Sequence, residues 1–93
     1  VKIEPIKYFI ASHRTDGITG YSKAQIERLL GFPPNFKDDP DKVIYSWRFT
    51  IDGKECAIWD YHGSHKLKRW SAYDPHKVLS NFFLLDSRKP FPV

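Results

Sequence analysis

Methionine is absent from the 93 residues, and cysteine occurs once, at Cys56. A single cysteine excludes a disulfide within the chain and agrees with a reducing compartment. The missing methionine implies that the numbering begins after a removed initiator or a cleaved tag. No uninterrupted apolar run is long enough to cross a bilayer, and no signal-peptide pattern opens the chain, so a soluble, cytoplasmic protein without a membrane partner is expected. A polybasic arm is lacking too. So is any catalytic motif of high specificity, and a non-enzymatic chain is expected.

The residues present describe a folded protein. Hydrophobic residues make up 41% of the chain and aromatic residues 16%, a composition of globules rather than of disordered segments. The length allows a single domain spanning 1–93, burying roughly 60 to 65% of its unfolded surface. Fifteen Lys and Arg against eleven Asp and Glu give a net charge of +4, a moderate excess that favours anionic partners without naming one.

The clearest local signal lies between Val43 and Tyr61, where V-I-Y-S-W-R-F-T-I and K-E-C-A-I-W-D-Y flank Asp52-Gly53. Both turn residues can adopt positive φ at little cost, which predicts a hairpin with a two-residue loop. Its register then sets Ile51 against Lys54, Phe49 against Cys56, Trp47 against Ile58 and Tyr45 against Asp60 on the core face. Cys56 thereby reads as a small buried residue. The opposite face carries Ser46, Arg48, Thr50, Glu55, Ala57, Trp59 and Tyr61, and is the candidate working surface.

Ahead of the hairpin, Val1 to Ser12 alternates loosely. Ile6, Tyr8 and Ile10 fit one side of a strand, while Pro5 restricts this segment to an edge or to a start near Ile6. The stretch from His13 to Gly20 reads as a polar loop. Ser22 and Gln25 form a capping box, Tyr21 can staple onto Ile26, and Ile26, Leu29 and Leu30 make an apolar stripe that ends at Gly31. After the hairpin, Arg69 to Tyr73 reads as a short strand with Trp70 and Ala72 inward. Asp74 caps a second predicted helix that starts at Pro75, with Val78, Leu79, Phe82 and Phe83 on its buried side. Residues 86–93 have no period and read as a loose tail. The expected class is α+β in two layers: an antiparallel sheet of three to four strands, two helices packed on one face, and the other face open.

Candidate chemistry gathers after the hairpin. Asp60, His62 and His65 invite a metal reading, but no second ligand cluster completes four donors, so neither a metal nor a cofactor is expected. Ser64 between two histidines lacks an elbow motif and an oriented acid. Anion binding asks for less: Gly63 admits a close backbone approach, Ser64 offers a hydroxyl, and Lys66, Lys68 and Arg69 supply charge. Trp59 and Tyr61 would add ring faces for stacking, and Arg48 lies on the same side. Together with His62 and His65 these residues form the candidate ligand site. Exposed sheet aromatics with Arg also suit a subunit interface, so a homo-oligomer is expected as well.

The order of motifs resembles a group of small α/β proteins of tailed bacteriophages. In these, a helix ending in Leu-x-Gly-x-Pro leads into Trp-x-Phe-x-Ile-x-Gly and Ile-Tyr-Asp-Tyr-Lys strands, an aromatic-Ser strand and a terminal helix. The corresponding stretches here are Leu29 to Pro34, Trp47 to Gly53, Ile58 to Tyr61, Trp70 to Tyr73 and Lys77 to Phe83. Trp59 stands in place of the tyrosine and His62 in place of the lysine. The resemblance implies a counter-defence role in the host cell, as a sponge that sequesters a cyclic nucleotide signal. Three other readings remain: an inhibitor docking on a host defence protein through the open sheet face, a weak nucleic-acid binder, and a phosphodiesterase using His62 and His65.

Overall fold

Asp52 and Gly53 take φ of 50° and 83°, the two positive angles that let a two-residue turn follow the twist of its strands. In the computed structural model, which describes residues 2–8, 13–37 and 41–85, this turn joins β3 (Val43–Ile51) to β4 (Lys54–Tyr61). The register is as expected for Ile51 with Lys54, Phe49 with Cys56 and Trp47 with Ile58. Three shorter strands complete the sheet: β1 (Ile3–Pro5), β2 (Asp16–Thr19) and β5 (Arg69–Tyr73). All neighbours are antiparallel, in the order β1-β3-β4-β5-β2.

One helix, α1 (Lys23–Leu30), crosses the core face. The Ser22 hydroxyl accepts from the Gln25 N–H, Gln25 returns the bond to the Ser22 N–H, and Gly31 closes the helix at φ 93°. Ile26 and Leu30 are buried, whereas Leu29 is 42% exposed and is not part of the stripe. Beneath the helix, Trp47 and Trp70 meet edge to face with ring centres 5.4 Å apart. Each indole N–H is satisfied by a carbonyl, Trp47 by Phe32 and Trp70 by Tyr21. Ile18, Phe49, Ile58, Ala72 and Leu79 fill the rest of this core without exposure.

The structure corrects the expected architecture in two respects. The sheet has five strands rather than three or four, because His13 to Gly20 is not simply a loop: Asp16 to Thr19 pairs with Ala72 to Arg69. The second helix does not form. After Asp74 the chain makes a turn and then a 3-10 turn at Leu79–Asn81. The Asp74 carboxylate accepts from the Val78 and Leu79 N–H groups at 2.9 and 3.1 Å. Lys77 sits in the left-handed region at φ 56°, which interrupts any α-helix there. That conformation brings its ammonium within 3.0 Å of the buried Asp16 carboxylate. Leu79 and Phe83 are buried as expected, and Val78 and Phe82 pack against the same core.

At the N-terminus the strand lies at Ile3–Pro5, earlier than expected, and Ile3 faces Ile51. Pro5 is on the sheet edge, where its missing donor is tolerated. Beyond it the Asn35 side chain continues the edge: its amide donates to the Arg48 and Ile6 carbonyls, and its oxygen accepts from the Arg48 N–H. The expected strand residue Ile10 and the tail 86–93 lie outside the described residues.

The outer face of the sheet is not open. Arg48 is 4% exposed, and Ser46, Ala57 and Ser71 are buried with it. The Phe36 ring lies 4.6 Å from the Arg48 guanidinium, and the Trp59 ring centre 5.6 Å away. Nearby, the His13 ring meets Tyr73 edge on. The Tyr8 hydroxyl bonds to Glu55, which raises its pKa above the ordinary tyrosine value.

Candidate functional site

The candidate site sits where β3 begins and β4 ends, and its geometry starts from a bulge. Pairing jumps from Val43 with Tyr61 to Ser46 with Trp59, so Ile44 and Tyr45 stand opposite Asp60 alone. A bulge leaves backbone donors without ladder partners, and here one carboxylate takes both. Asp60 Oδ1 accepts from the Ile44 N–H at 2.9 Å and the Tyr45 N–H at 2.7 Å. Its Oδ2 lies 2.5 Å from His65 Nδ1, and Asp60 has no exposed surface. The expected pairing of Tyr45 with Asp60 is therefore replaced by this bulge. The ring partner of the carboxylate is His65.

Beyond β4 the backbone turns through His62 and Gly63 at φ 55° and 76°, makes a 3-10 turn at Ser64–Leu67, and enters β5 through Lys68 at φ 56°. The Ser64 hydroxyl accepts from the Tyr61 N–H at 3.2 Å and donates to the Arg69 carbonyl at 2.6 Å, tying the two strand ends together. The His62 N–H reaches the Lys42 carbonyl, and the Gly20 N–H reaches the Lys68 carbonyl. The His65 ring is held edge on against Tyr45, with centres 5.0 Å apart. The connection is thus fastened to β2, β3 and β5 as well as to Asp60.

This arrangement divides the nine expected site residues. Tyr61, His62, Lys66, Lys68 and Arg69 share the tip of the sheet. His62 and the three cations are exposed, Tyr61 is half-buried, and the Tyr61 and His62 rings touch at 4.1 Å between centres. Ser64 and His65 belong to the connection but turn inward to the bonds just described. Ser64 does not offer a free hydroxyl to an anion, and its proton is directed at the Arg69 carbonyl rather than at a histidine, so no serine–histidine dyad is assembled. Arg48 and Trp59 do lie together on the outer face, but that face is covered. An Arg48 guanidinium held between two rings serves packing. The host-protein docking surface expected there is mostly closed.

Two residues of this tip were missed from sequence. Lys42 is exposed beside His62, and its carbonyl bond to His62 joins it to the connection. Ile44 is 56% exposed and a Cβ placed on Gly63 would meet its Cδ1 at 3.9 Å. Lys42 had no local signal, because its place depends on the bulge two residues later.

Elsewhere, two clefts of about 400 Å³ each lie beside Gly31 to Pro33 and beside Lys77 and Leu84, and none of the nine residues lines either. Among the described residues no group of three His, Cys, Asp or Glu side chains converges as metal ligands. No helix among them is long and apolar enough to cross a membrane. Cys56 is fully buried, and burial, followed by the nearby Asp74 charge, pushes its thiol pKa up to about 12. No protein-family model matches the chain, and comparison with curated proteins and with solved structures returns no match.

Proposed function

We propose that the chain is a non-enzymatic binding module that holds a small anionic nucleotide at the tip formed by the β4–β5 connection. The observation that carries this reading is the division of labour within residues 61–69. Ser64 and His65 fasten the connection from inside, while His62, Lys66, Lys68 and Arg69 face solvent on it. Holding the backbone in place beforehand lowers the ordering cost of binding. From Tyr61 to Tyr73 the sequence contains no acid, so the field at this tip attracts anions. Tyr61 and His62 supply the stacking surface that Trp59, already packed against Arg48, does not. Base stacking on such a ring is worth about 1 to 3 kcal/mol.

The resemblance to small phage proteins supplies a use for such a module, sequestration of a cyclic nucleotide signal in the host cell. Isothermal titration calorimetry against a panel of cyclic dinucleotides and mononucleotides tests the reading. Binding of at least one nucleotide, weakened about tenfold by a joint Lys66→Ala and Lys68→Ala change, supports it. Recovery of intact ligand after denaturation separates sequestration from hydrolysis. No binding at high micromolar concentration, or binding indifferent to both lysines, refutes it.

A further inference from the structure

The sheet order places β4 between β3 and β5. Val43 pairs with Tyr61, which sets Lys42 beside His62, and their backbone bond confirms the placement. On the other side Trp59 pairs with Ser71. Past that pair the ladder opens: the Ser64 hydroxyl stands between the Tyr61 N–H and the Arg69 carbonyl, and the Lys68 carbonyl accepts from the Gly20 N–H on the β2 side of β5. Lys42, on the β3 side, and Lys68, on the β5 side, therefore flank His62 in a row at the end of β4. Two strand spacings, widened on the β5 side by the Ser64 hydroxyl, put the outer members at least about 10 Å apart at the backbone. Asp41, next to Lys42, lowers the positive charge of this row but does not cancel it.

We infer that Lys42 is a second arm of the anion site, and that the ligand carries two separated phosphate groups, one for each side of the row, with its base against Tyr61 and His62. This rests on the reading of the tip as a nucleotide site. A single phosphate would engage either flank and gain little from the other. A ligand with two phosphates reaches both flanks, and the second contact forms without a second loss of translational freedom. The bulge held by Asp60 fixes how the start of β3 lies against the connection, so the spacing of the two arms is built into the fold.

Calorimetry with the 5′-phosphorylated dinucleotide pApA and with AMP, at one ionic strength, tests the second arm on the wild type, Lys42→Ala and Lys68→Ala. Circular dichroism verifies that each variant folds. The expected result is that Lys42→Ala weakens pApA binding about fivefold, the effect of one exposed ion contact, and changes AMP binding by less than about twofold. If Lys68→Ala weakens pApA and Lys42→Ala does not, or if Lys42→Ala weakens both ligands equally, the second arm is wrong and the site at the connection stands. If neither ligand binds the wild type, the second arm falls, while the reading of the tip stands or falls with the cyclic-nucleotide panel.

Discussion

Replacing Asp60 tests the geometry on which the tip depends. In Asp60→Ala the Ile44 and Tyr45 N–H groups and His65 Nδ1 all lose their acceptor. A buried donor left unsatisfied costs about 1 to 3 kcal/mol. Ile44 is exposed and its N–H can recruit water, so the larger share falls on Tyr45, which is half-buried. Adding the cavity left by a fully buried side chain, the loss should be about 3 kcal/mol. A chain of this size has a total stability of only about 5 to 14 kcal/mol, so the variant should be clearly weakened. Asp60→Asn is the informative companion. Its side-chain oxygen can still accept from Ile44 and Tyr45, so only the charge and the His65 contact are altered, and a loss of about 1 kcal/mol is expected. Urea unfolding read by tryptophan emission measures both, since Trp47 and Trp70 lie in the core. The midpoints should rank wild type, then Asp60→Asn, then Asp60→Ala, with similar slopes. Equal losses in the two variants would show that the bulge donors do not depend on the carboxylate, and the account of the tip would fail with them.

The Cys56 thiol should not react with a disulfide reagent in the native state at pH 8, and should react at the rate of unfolding when urea is added. Because its pKa is raised from 9.0 to about 12 on folding, unfolded chains lose this proton first as pH climbs. Stability contributed by the neutral thiol is complete below pH 9 and then falls by about 1.4 kcal/mol per pH unit toward pH 12. Cys56→Ala should flatten that decline in melts taken across the range. Lys77→Gly should be more stable than Lys77→Ala by about 1 kcal/mol in thermal melts, because both lose the contact with Asp16 but only glycine relieves the left-handed backbone. Trp59→Ala should cost about 2 kcal/mol in urea unfolding by stripping one ring from Arg48, yet change nucleotide affinity less than twofold. Tyr61→Ala should do the reverse, weakening nucleotide binding about tenfold in the same calorimetric assay.

What could be read from the residues was what a short window encodes. The hairpin register near Asp52-Gly53, the cap of α1 and the inward Trp70 and Ala72 all follow from neighbours within a few positions. β2 was hidden because Asp-Gly-Ile-Thr has one large apolar residue, and its strand conformation comes from pairing with β5, some fifty residues away. The second helix was mistaken for the opposite reason. Asp74, Pro75 and the spacing of Val78, Leu79, Phe82 and Phe83 are sound helix signals, but Lys77 takes a left-handed conformation no helix contains, and its ammonium meets Asp16 there. Of the site, the connection and its exposed cations were legible. Burial of Arg48, the pairing of Asp60 with His65 and the arrival of Lys42 were not, since each depends on a segment distant in sequence.

Three side-chain contacts of the described residues share one physical device. Asp60 supplies acceptors where β3 bulges and Asp74 where a helix would have begun, and the Asn35 amide both donates to and accepts from Arg48 where β1 stops short of covering β3. In each case a short side chain bonds backbone groups that a longer regular element would have bonded. Hydrogen bonds to a carboxylate are stronger than neutral ones, about 1.5 to 3 kcal/mol against about 1, so two buried Asp residues can hold backbone groups that regular structure leaves unpaired. The consequence reaches the tip. A carboxylate engaged inside the sheet is not on the surface to pair with Lys66 or Lys68, and the polar groups of the connection that do face solvent are mainly cationic. The same substitution of side chains for regular structure that keeps the sheet folded thus also sets the sign of the charge at its tip.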